Sequence, residues 1–94
     1  MKKSTARLRT EHGKKYLLQM SKHFAHKIDV TYSETHADCP FPNGTATMDA
    51  DDSGITFGVS AATDELVTQA KSIIESHIVK FAFREKLESL EWDT

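Results

Sequence analysis

Histidines supply most of this chain's capacity for chemistry near neutral pH, because imidazole is the side chain whose ordinary titration falls there. Two lie three apart in His23-Phe24-Ala25-His26, and His36-Ala37-Asp38-Cys39 sets an imidazole and a thiol three apart further along. Such ligands at such spacings suit zinc or a similar borderline metal. Two features oppose a four-ligand centre. Positions 36 and 39 differ by an odd number, so on a strand they face opposite ways. On a helix, His23 sits at the apolar border while His26 turns toward solvent. No metal site is assigned.

His77 falls inside the apolar stripe of an expected helix, between Ile73, Ile74 and Phe81. A histidine aimed at a core needs a hydrogen-bond partner, and a backbone carbonyl or carboxylate would serve. The functional alternative is a pocket at the helix end containing His77, Arg84 and Glu85, with His23 contributing. There an imidazole acts as acid or base and arginine holds an anion. Arg84 is in line with His77 only if the helix runs that far.

Other candidates reduce to structure. Cys39 lies between Asp38 and Pro40, with no local positive charge to activate its thiol, and reads as a packing residue. Asp49-Ala50-Asp51-Asp52-Ser53-Gly54 resembles the start of a calcium loop. Its twelfth position is Ser60 rather than a bidentate glutamate, so a hairpin turn is the better account.

These groups need elements to position them. Residues 4–10 alternate weakly around Ala6 and Leu8, as a short edge strand does. Tyr16, Leu17, Met20 and Phe24 recur at helical spacing, predicting an amphipathic helix over 13–26. Ile28, Val30 and Tyr32 alternate with polar residues, predicting a half-buried strand over 28–33. Ala37, Cys39 and Phe41 continue the pattern, but Pro40 and Pro42 confine that segment to an edge, a bulge or a bend. Asn43-Gly44 marks a tight turn, followed by Ala46, Met48 and Ala50, then Ile55, Phe57 and Val59. Thr63 caps a second helix, with Asp64 and Glu65 in its first turn and an apolar stripe of Leu66, Ala70, Ile73, Ile74, Ile78 and Phe81. Leu90 and Trp92 hint at a short final strand. The expected class is α+β: an antiparallel meander of four to six strands with two amphipathic helices on one face, forming a single domain over 1–94.

The segments His23-Phe24-Ala25-His26-Lys27, Phe41-Pro42-Asn43-Gly44 and His77 through Glu85, followed by Trp92, resemble the bacterial domain-of-unknown-function family 2218 over about residues 5–92. The resemblance implies no established activity. It marks His23, His26, Lys27, His77, Arg84 and Glu85 as positions matching the family's motifs, whereas His36 and Cys39 fall outside them. Some relatives are joined to flavin-dependent siderophore-interacting proteins, which implies a link to iron uptake. This chain has no flavin-binding segment, so such a role would be that of a stand-alone accessory domain.

Composition bounds the remaining classes. Hydrophobic residues are 38% and charged residues 28% of 94, as in a globular domain. No apolar run is long enough to span a membrane, and the basic start Met1-Lys2-Lys3-Ser4-Thr5 lacks the apolar stretch of a secretory signal. A lone cysteine is expected of a reducing, cytoplasmic setting. Net charge is −2, yet residues 1–27 hold eight of the twelve bases and only one of the fourteen acids. Acidic and basic elements facing each other within the fold or across a homodimer account for this better than nucleic-acid binding, which favours an overall basic excess. The sequence thus supports a small binding module for a ligand or protein partner, with accessory iron or siderophore handling as its implied setting. The alternatives are a small enzyme using His77 or His23 with Arg84 on an anion, and binding of nucleic acid or an acidic partner through the basic first third. No cofactor is named by these residues.

Overall fold

The computed structural model describes residues 1–94 except Asn43, Glu88 and Thr94. Its elements run β1 (Lys2–Arg9), α1 (Gly13–Phe24), β2 (Thr31–Tyr32), β3 (His36–Phe41), β4 (Gly44–Asp51), β5 (Gly54–Ala61) and α2 (Asp64–Phe81), followed by a 3₁₀ turn at Phe83–Glu85. The five strands form one antiparallel sheet in the order β1-β5-β4-β3-β2. Both helices pack on one face, α1 across β3, β4 and β5, and α2 across β5, β4 and β1. The α+β class follows directly from this arrangement.

Period-two alternation decides which face is covered. Ala6 pairs with Phe57, Leu8 with Ile55, Met48 with Phe57, and Cys39 with Ala46. All point under the helices and are buried. Leu17 and Met20 from α1 and Ile74 and Ile78 from α2 close the core from above. Each such side chain, fully buried, contributes about 1.5–3 kcal/mol. Thr63 caps α2, its hydroxyl accepting the Leu66 N–H at 3.2 Å. The opposite sheet face carries Thr5, Arg7, Asp38, Thr47, Asp49 and Thr56, all wholly or partly exposed.

Four expectations change. The meander holds for β2 to β5, but β1 joins at the far side of β5, so α1 carries the chain from one sheet edge to the other. β1 is also longer than expected, starting at Lys2 and pairing with β5 along its full length. The strand expected over 28–33 shrinks to Thr31–Tyr32, because the Lys27 and Ile28 amides still bond to Phe24 O as the chain leaves α1. Ile28 and Val30 pack against the core nonetheless. The final strand is a single bridge, Ala6 with Trp92. Asp93 completes it by accepting from the Thr5 amide at 2.8 Å and donating its own amide to Thr5 O at 2.9 Å, which covers the outer edge of β1.

Pro40 lies within a regular β3, opposite Thr45. β2 reaches only Ala37 and Asp38 of its neighbour, so the missing proline N–H falls where no strand seeks it. Half of the expected Asn43-Gly44 turn lies outside the described residues; Phe41 pairs with Gly44 across it. Asp51 pairs with Gly54, and the Asp51 carboxylate accepts the Ser53 and Gly54 amides at 2.8 and 2.9 Å. The calcium-like stretch is therefore a hairpin turn.

Candidate functional site

The chain is helical up to Phe24 on α1, which sets His23 and Phe24 at the end of that helix and Lys27 and Ile28 in the turn after it. α2 brings Ile73 and His77 alongside, one helical turn apart. Phe41 and Pro42 close the third side from the end of β3. Together these eight residues line a cleft of about 350 Å³, in the range of small-molecule sites.

Its rings interlock. The His23 and His77 ring centroids are 4.7 Å apart, tilted by 52°. Phe24 meets His77 edge-on at 4.8 Å and Phe41 at 5.2 Å. Phe81 backs His23 at 5.8 Å. The His77 Nδ1–H donates to Ile73 O at 2.6 Å, one turn earlier on the same helix. A carbonyl only accepts, so Nδ1 carries the proton and the neutral ring keeps its lone pair on Nε2. Burial and the charges of His77, Lys27, Lys80 and His26 hold His23 below the ordinary imidazole value. The walls are apolar, and the polar groups of the lining are two imidazoles and one ammonium. Such a lining can seat an apolar body and bond its polar end, and His77 Nε2 can accept a proton or a hydrogen bond.

Of the six residues singled out by sequence, His23, Lys27 and His77 share this cleft. His26 is exposed beside it, with its backbone N–H bonded to His23 O at 3.3 Å. Arg84 and Glu85 lie elsewhere, because the helix ends at Phe81 and the chain tightens into a 3₁₀ turn. Glu85 accepts hydrogen bonds from the Thr10 hydroxyl at 2.7 Å and the Tyr16 hydroxyl at 2.9 Å, near the start of α1. Those bonds hold its carboxyl below the usual range, while burial and the Glu85 bond push the Tyr16 phenol up. The Arg84 guanidinium lies 5.6 Å from the ring of exposed Phe83. Phe24, Ile28, Phe41, Pro42 and Ile73 are not among the candidates the sequence offers; they read there as packing and turn residues, and only their convergence makes them walls.

His36 and Cys39 do not join the cleft. Cys39 is buried under the helices, where burial and the Asp38 charge push its thiol up to about 11. His36 faces the opposite way, its Nδ1 2.6 Å from Asp49 Oδ1 and its Nε2 3.1 Å from Asp38 Oδ1. These carboxylates raise its pKa. Among the described residues, no group of three or more His, Cys, Asp or Glu side chains is arranged to hold a metal ion. Part of the charge asymmetry closes within the fold. Arg7 pairs with Asp51 at 3.0 Å and Lys14 with Asp52 at 3.4 Å. Among the described residues, no helix is long and apolar enough to cross a membrane.

Comparison with known proteins bears on fold and family. The NMR structure of PA4090 from Pseudomonas aeruginosa aligns with a TM-score of 0.84, covering 99% of this chain and 96% of that one at 22% identity. That similarity is one of fold. No curated protein matches. A family model described as an uncharacterized protein conserved in bacteria, DUF2218, matches residues 5–93. With that match spanning nearly its whole length, the chain belongs to the DUF2218 family of bacterial proteins.

Proposed function

We propose that this protein is a small ligand-binding domain of the bacterial cytoplasm and that the cleft between the ends of α1 and α2 is its binding seat. The observation that carries the reading is the His23–His77 pair at the edge of an apolar cleft also lined by Lys27. A pocket walled by Phe24, Ile28, Phe41 and Ile73 gains from an apolar ligand body, and the convergent polar groups fix its orientation. His26 borders this seat, and Arg84 and Glu85 are not part of it. The lone buried cysteine supports a reducing compartment.

The accessory role in iron or siderophore handling belongs to this reading as one source of such a ligand. Acid–base chemistry by His23 or His77 would use the same seat, with Lys27 rather than Arg84 beside the substrate. Commitment of Arg7 and Lys14 to acids of the β4–β5 turn supports a small ligand over nucleic acid. The test is a titration of isotope-labelled protein with a panel of small metabolites and ferric complexes. The expected result is saturable shifts concentrated at His23, Phe24, Lys27, Phe41 and His77, lost in the His77→Gln variant. Shifts concentrated on the exposed sheet face, or none across the panel, would overturn it.

A further inference from the structure

The cleft's charge is one-sided. Lys27, His23 and His77 line it, and among the described residues no aspartate or glutamate stands in its lining. Among the described residues, the charged and titratable groups that bear most on His23 are His26 and Lys27 from its own end of the chain and His77 and Lys80 from α2. Every one of them is a base. Phe41 and Pro42, packed from β3, bring no charge. A cleft so lined disfavours cations and favours one anionic group. Its remaining surface is aromatic and aliphatic, with Phe24 and Phe41 edge to face at 5.2 Å. Aromatic rings favour edge-to-face and offset contacts with a further ring. A volume of about 350 Å³ suits a ligand of one or two rings.

We propose, resting on the binding-seat reading above, that the ligand is a planar aromatic carboxylate whose binding carries one proton onto the His23–His77 pair. The ring lies among Phe24, Ile28, Phe41 and Ile73, and the carboxylate meets Lys27 and the paired imidazoles. Two imidazoles with centroids 4.7 Å apart resist double protonation, because two like charges at that distance repel. An arriving carboxylate reverses the balance for one of them. That proton goes to His23, which burial and the neighbouring bases hold low in the free protein, while His77 keeps its Nδ1–H on Ile73 O. The proton comes from solvent and the ligand remains ionised, so the complex gains one proton and no covalent bond changes.

The experiment compares benzoate with benzamide, which share ring and shape but differ in charge. Binding to the intact chain is followed by NMR and calorimetry from pH 6 to 8, where benzoate stays ionised. The calorimetry uses buffers of different ionisation heat. The proposal expects benzoate to bind more tightly than benzamide and to weaken several-fold as pH rises, with close to one proton taken up near pH 7. Lys27→Gln should weaken benzoate about 5-fold and benzamide much less, about 5-fold being roughly 1 kcal/mol. His23→Gln, an exposed position that keeps a polar side chain, should flatten the pH dependence. Equal binding of both probes at the cleft without proton uptake would overturn the anion proposal and leave the binding seat standing. Failure of both probes to shift any cleft residue, together with failure of the metabolite panel, would remove the seat as well.

Discussion

His23 and His77 reach each other from different helices, with ring centroids 4.7 Å apart, and the His77 ring disfavours a proton on His23. Burial, and then the His77 ring, keep His23 below the ordinary value of 6.5. A base held lower in the folded state binds fewer protons than the unfolded chain. Its contribution to stability is therefore complete above pH 6.5 and is lost as pH falls through the folded value. In His77→Gln, His23 should titrate closer to 6.5, measured from its imidazole resonances. An unchanged or lower value would contradict the coupling.

His36 has the opposite sign. Bonds to Asp49 and then Asp38 raise its pKa, so its contribution is complete below 6.5 and is lost as pH rises through the folded value. Melting temperature followed across that range should fall with rising pH more steeply in the parent than in His36→Gln. Parallel curves would show that the exposed triad of His36, Asp38 and Asp49 adds nothing to stability.

Glu85 acts as a clasp. Its carboxylate ties the turn after α2 to Thr10 and Tyr16, far from the paired histidines. Glu85→Ala should lower unfolding free energy by about 1 kcal/mol at neutral pH, with His23, Lys27 and His77 resonances in place. Because its carboxyl is held low, the loss should shrink as pH falls through the folded value. Movement of the cleft resonances would assign Glu85 to the site instead.

Much of this was legible in the sequence because period-two and helical patterns record burial directly. Tyr16, Leu17, Met20 and Phe24 are all buried, as their spacing requires. Ala46, Met48 and Ala50 likewise fall under the helices opposite residues of the neighbouring strands. The partner of β1 was not legible, since alternation says which face is wet but not which strand lies alongside. His77's place in the stripe was readable, and its carbonyl partner fits the duller alternative; that it also lines a cleft depends on Phe41 and Pro42 arriving from distant sequence. The alignment of Arg84 with His77 failed for a local reason. Ala82 leaves helical geometry at φ −98°, ψ 39°, and extrapolation by helical rotation stops there.

Gly13 shows how closely the frame is built. A Cβ at this position would stand 2.5 Å from Gly54 O, a backbone atom of the β4–β5 turn that cannot swing aside. Gly13→Ala should destabilise by about 2 kcal/mol in equilibrium unfolding, the cost of overpacking a closed contact. No loss of stability would mean that α1 starts further from the sheet than this packing requires.

The location of the ligand tests the central claim most directly. Intermolecular nuclear Overhauser effects from the ring protons of bound benzoate should reach the Ile73 methyls, the Phe41 ring and His77 Hε1, all lining one cleft. Effects reaching Thr47 and Thr56 on the opposite sheet face, with none to Ile73 or His77, would contradict it.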